Sequence, residues 1–94
     1  MQSLKYTAMA KCSFDLNFSE EAAALVQKFQ SRITTAGGTF TGNDGNGVFT
    51  VKTPVGAVEG NYTVAGNVIT INIVDKPMFL GCDMIEGFIR KELQ

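Results

Sequence analysis

Ninety-four residues suffice for one domain and are too few for two, so residues 1–94 are read as a single unit. Apolar residues make up 45% and charged residues 18%, a globular composition that excludes a disordered tail. The 8 basic and 9 acidic residues are scattered, so no patch points to nucleic acid or an anionic membrane surface.

No apolar run approaches the roughly 18 residues of a membrane span. Met1-Gln2-Ser3-Leu4-Lys5 is not followed by an unbroken apolar block, so no secretory signal is expected and the chain is read as cytoplasmic. On that reading Cys12 and Cys82, far apart in the chain, are two buried free thiols. A disulfide from the first strand to the last helix is the alternative. Two glycosylation patterns, Asn17-Phe18-Ser19 and Asn61-Tyr62-Thr63, are then coincidental.

The chain opens on alternation. Tyr6, Ala8, Ala10, Cys12, Phe14, Leu16 and Phe18 fall on even positions, with mostly polar residues between them. Successive strand side chains point to opposite faces, so this predicts a long half-buried strand. A helix follows. Asn17 with Glu20 forms a candidate capping box, with Ser19 as the other candidate N-cap. Ala22, Leu25, Val26, Phe29 and Ile33 make one apolar stripe at helical spacing. Gly37-Gly38 supplies the left-handed stop.

Three turns then set three registers. Asp44-Gly45 predicts a type I′ hairpin with Phe40 opposite Phe49. Thr53-Pro54-Val55-Gly56 predicts a turn with proline at its second position and Val51 opposite Val58. Gly66-Asn67 predicts a type II′ turn with Tyr62 opposite Ile71. Together they gather Phe40, Phe49, Val51, Val58, Tyr62, Val64, Ile69, Ile71 and Ile73 on one face and leave Thr39, Thr41, Thr50, Glu59, Asn61, Thr70 and Asn72 on the other. A one-residue slip in any hairpin would mix the faces.

Asp75-Lys76-Pro77 ends the last strand. Met78-Phe79-Leu80 is expected to pack beneath the final helix; left in solvent, it would form an apolar patch. Asp83 and Glu86 form a second candidate capping box, and Ile85, Phe88, Ile89 and Leu93 a second helical stripe. The expected fold is α+β in the order β-α-β-β-β-β-α. A curved antiparallel sheet, a four-stranded meander plus the N-terminal strand, carries both helices on one face. The first strand is expected at an edge, beside the last meander strand.

Chemistry is sparse. The chain has no histidine, which removes the commonest general base and the usual triads. Asp15, Glu59 and Glu86 fall on solvent-facing or capping positions. Two distant cysteines without histidine do not make a zinc site, and Asn43-Asp44-Gly45-Asn46-Gly47 lacks the remainder of a calcium loop. No catalytic residue, metal or cofactor is expected, and the chain is read as a non-enzymatic binding domain. The remaining candidate is an apolar groove between sheet and long helix, lined by Phe14, Phe29, Phe49, Tyr62, Ile71 and Met78. It would take a hydrophobic small molecule, a polymer surface or a protein partner. Pairing between chains through the edge strands Tyr6–Phe18 or Thr39–Gly42 is the second reading, giving a monomer or weak homodimer. A carboxylate or Cys82 enzyme is the third.

Gly47-Val48-Phe49-Thr50-Val51, Val68-Ile69-Thr70-Ile71, Phe79 and the terminal Ile85-Glu86, Ile89 and Leu93 carry a resemblance. With the preceding strand and helix, the chain resembles the small bacterial polyhydroxyalkanoic acid system proteins. That resemblance implies association with storage-polymer granules and supplies no catalytic residue. The element order is also similar to a shortened helix-grip, lipid-binding-like domain.

Overall fold

A computed structural model describes residues 11–93. The elements, in chain order, are β1 (Cys12–Asn17), α1 (Ala22–Thr35), β2 (Thr39–Gly42), β3 (Asn46–Thr53), β4 (Gly56–Ala65), β5 (Val68–Asp75) and α2 (Cys82–Leu93). The five strands form one antiparallel sheet in the order β1-β5-β4-β3-β2. The α+β order expected from the pattern is therefore the observed one. The first strand takes the edge beside β5, pairing Phe14 with Ile71 and Leu16 with Ile69. Positions 6–10 of the expected long strand lie outside the described residues.

All three meander registers match the turn readings: Phe40 faces Phe49, Val51 faces Val58, and Tyr62 faces Ile71. One turn reaches its register by other means. Among the described residues no non-glycine residue has positive φ, and Gly45 is not among the glycines that do, so Asp44-Gly45 is not a type I′ turn. The Asn43 Oδ1 atom instead accepts the backbone N–H groups of Gly45 (2.8 Å) and Asn46 (3.0 Å). This side-chain mimic of a turn fixes the same two-residue connection. Gly66 has φ 61°, the sign that the first central position of a type II′ turn requires.

The helix starts also differ from expectation. Neither Asn17 nor Ser19 caps α1; the N-cap is Glu21, with no side-chain hydrogen bond. The Glu20 carboxylate instead reaches Lys28 Nζ at 2.9 Å, and that hydrogen bond holds its pKa below the ordinary value. In α2, Asp83 lies inside the first turn, where it faces the helix dipole and does not act as a cap. The end of α1 follows its glycines. Gly37 adopts φ 85°, and the amides of Gly37 and Gly38 donate to the carbonyls of Thr34 and Ile33, the paired bonds of a Schellman stop.

One core unites the apolar sheet face with both helices. It contains Cys12, Phe14, Leu16, Phe49, Val58, Tyr62, Ile69, Ile71 and Ile73 from the strands. From the helices it takes Leu25, Val26, Phe29 and Ile33 of α1 and Ile85, Ile89 and Leu93 of α2. The ring of Phe29 packs edge-on against Phe40, Phe49 and Tyr62, with centroids 5.1–5.9 Å away. Tyr62 donates its hydroxyl to the Asn43 carbonyl at 2.6 Å, linking the core to the β2–β3 turn. Gly47 makes room for that ring: a Cβ there would sit 2.6 Å from Tyr62 Cε1. The opposite sheet face is polar. Ser13 donates to Asn72 and Asn72 to Asn61, a hydrogen-bonded row across β1, β5 and β4.

Cys12 and Cys82 are not free thiols. They form a disulfide with a Cα–Cα distance of 5.5 Å that joins β1 to the first residue of α2. Of the two readings of these cysteines the alternative is the observed one, and the edge placement of β1 brings together two positions 70 residues apart.

Candidate functional site: an apolar groove

Helix α2 packs chiefly against α1 and the edge strand β1. Its Ile85, Ile89 and Leu93 enter the core, four residues apart along one helical stripe. The neighbouring apolar positions Met84 and Phe88 do not enter it and remain 61% and 52% exposed. Phe88 thus departs from its expected place in the buried stripe. The ion pair of Glu86 with Arg90 lies on the same helix, with its shortest N–O distance 2.6 Å.

Those flanking side chains open onto a groove of about 360 Å³. Met84, Ile85, Phe88 and Ile89 of α2 form one wall, with Leu80 just before them. Phe29 and Ile33 of α1, and Phe49, Val51 and Val58 of the sheet, complete the lining. The walls are almost entirely apolar; Arg32, Lys52 and Glu92 also contribute to the lining, and Arg32 and Glu92 pair with each other at 3.3 Å. Such a surface can hold hydrocarbon by excluding water and offers few groups to orient a polar ligand.

Of the six residues expected to line a groove, Phe29 and Phe49 do so. Phe14, Tyr62 and Ile71 are buried within the core instead, since the centre of the sheet is fully covered. Met78 lies on the loop before α2 and is 91% exposed; Phe79 beside it is 84% exposed. Of the three loop residues expected to pack beneath α2, only Leu80 packs against the core. Pattern reasoning missed Met84 and Phe88. The available signal was the width of the α2 apolar face: Met84-Ile85 and Phe88-Ile89 are adjacent pairs, and one narrow core stripe accommodates only one of each.

Arg32, Lys52 and Glu92 are the titratable groups of the groove, and the carboxylates singled out from the sequence lie away from it. Asp15 accepts a hydrogen bond from Thr70 on the polar face, and Glu59 lies in a second, shallower hollow of about 260 Å³ on that face. Burial pushes the Tyr62 phenol above its ordinary pKa, helped by the Asp44 carboxylate and opposed by the hydrogen bond to Asn43. Among the described residues, no cluster of three histidine, cysteine or acidic side chains could hold a metal ion. None of the described helices is long and apolar enough to cross a membrane. Compared with known proteins, the chain matches no family model, no curated protein and no solved structure.

Proposed function

We propose that this domain binds a hydrophobic small molecule, of about the bulk of one acyl chain or a small fused-ring compound, in the groove between α2, α1 and the β3–β4 end of the sheet. The observation that carries the reading is an apolar groove of about 360 Å³ beside a core that is otherwise closed. That volume is at the lower end of the roughly 300–1,000 Å³ of small-molecule sites. The nearly unbroken apolar lining favours a neutral body over a charged one, because a buried charge without a partner is strongly disfavoured. The reading is non-catalytic: the groove offers shape and desolvation, and its one carboxylate, Glu92, is paired with Arg32. The disulfide weighs against a cytoplasmic location and favours an oxidising compartment.

Titration with Nile red, a neutral apolar dye, tests this. Saturable binding is expected, lost on Met84→Glu, which places a charge on the groove wall at an exposed position. Val48→Glu, on the opposite sheet face, should leave binding unchanged. Equal binding by both variants, or none by the parent protein, removes the reading.

A second reading rests on Met78 and Phe79. Two adjacent large apolar side chains in solvent suit contact with an extended apolar surface, such as a storage polymer or a protein partner. Phe79→Ser should then abolish partition onto polyhydroxybutyrate particles while Nile red binding in the groove persists.

A further inference from the structure

We propose that the Cys12–Cys82 disulfide is a redox-operated latch that holds α2 in place as the wall of the groove. The proposal rests on the groove being the binding site. The groove wall supplied by α2 comes from Met84, Ile85, Phe88 and Ile89, in the first two turns and the middle of the helix. The polar ties of α2 to α1 cluster at its far end, where Lys28 Nζ donates to the Leu93 carbonyl at 3.1 Å and Arg32 pairs with Glu92. At the near end the disulfide at Cys82, the first helical residue, is the anchor to the sheet. In the loop ahead of it Met78 and Phe79 are exposed, and only Leu80 packs against the core.

Without that anchor the first turn is held to the core by Ile85, with Leu80 ahead of it. The helix spans 12 residues and contains Gly87, and helices shorter than roughly 12–15 residues are marginal in water on their own. Release of Cys82 therefore frays the first turns of α2 and removes the wall.

The geometry also sets the course of reduction. Cys12 is 5% exposed, whereas Cys82 is half-buried at the surface end of the bond. A thiolate of a dithiol reductant attacks the Cys82 sulfur, forming a mixed disulfide, and the S–S bond breaks to leave the Cys12 thiolate, which takes up a proton. The second thiol of the reductant then attacks its own sulfur in the mixed disulfide, and Cys82 departs as a thiolate that is protonated in turn. Two electrons and two protons pass to the protein, and the reductant leaves as a cyclic disulfide.

The test uses the full chain, oxidised, reduced with dithiothreitol, and re-oxidised, with each state verified by intact mass. Backbone chemical shifts report helix by helix, and Nile red titration reports the groove. On reduction, the shifts of residues 82–89 should move toward coil values while Phe49, Tyr62 and Ile71 keep native shifts. Nile red affinity should fall at least about tenfold, as when the binding-competent conformer drops to a tenth of the population. Re-oxidation should restore both, and Cys12→Ala with Cys82→Ala should reproduce the reduced state. Unchanged α2 shifts after reduction overturn the latch. Loss of native shifts throughout the sheet overturns it as well, making the bond a staple of the whole fold. If α2 is released but the oxidised protein never binds Nile red, the ligand-binding reading falls and the redox release of α2 stands.

Discussion

The two helices lie on the same sheet face and are held there by different means. Helix α1 sends Leu25, Val26, Phe29 and Ile33 into the core, with Phe29 centred in an aromatic cluster and a Schellman stop at its end. Helix α2 sends in Ile85, Ile89 and Leu93, leaves Met84 and Phe88 beside a groove, and is joined covalently to β1. The difference teaches that apolar content does not decide closure. Both helices are amphipathic, but only α1 has a partner for each large side chain.

Substitutions sharpen this contrast. Phe29→Ala should be the most damaging, at about 3–5 kcal/mol by denaturant titration, because three surrounding rings cannot collapse into the void. Ile89→Ala removes a smaller side chain outside the aromatic cluster and should cost about 2 kcal/mol, the low end for such a truncation. Gly47→Ala should cost about 1–3 kcal/mol through overpacking against the Tyr62 ring. A loss at Ile89 equal to that at Phe29 would erase the distinction between the helices. Smallest of all, Phe88→Ala should change stability by no more than about 0.5 kcal/mol while weakening Nile red binding, which separates the groove from the core.

Alkali probes the α1 cluster from another direction. The Tyr62 phenol is neutral in the fold and its pKa is raised, so the unfolded chain loses that proton first as pH rises. Stability is therefore untouched below the ordinary tyrosine pKa near 10 and declines as pH climbs from there through the raised folded value. Melting temperature against pH should show this decline in the parent protein and less of it in Tyr62→Phe.

The sheet was legible because three turns, each with its own chemistry, demanded the same division of faces. At Asn43–Asn46 the register was right although the turn was not, since Asn43 satisfies the amides that positive-φ residues would otherwise have turned aside. The groove was only partly legible. Phe29 and Phe49 follow from placing α1 on the sheet, whereas Met84 and Phe88 follow only from the width of the α2 apolar face, which a single core stripe does not take up. The disulfide was the alternative to two free thiols, set second by the expectation of a cytoplasmic chain, and spacing along the chain could not decide between them. The loop Met78–Leu80 has no periodicity, so its exposure was open until its neighbours were in place.

The placement of β1 has a consequence for synthesis. Its observed sheet neighbour is β5, so of the five described strands the first to leave the ribosome waits for the last before it can pair. Through that interval Phe14 and Leu16 have no sheet to rest on, and a nascent chain in this condition is open to capture by a chaperone or by another copy.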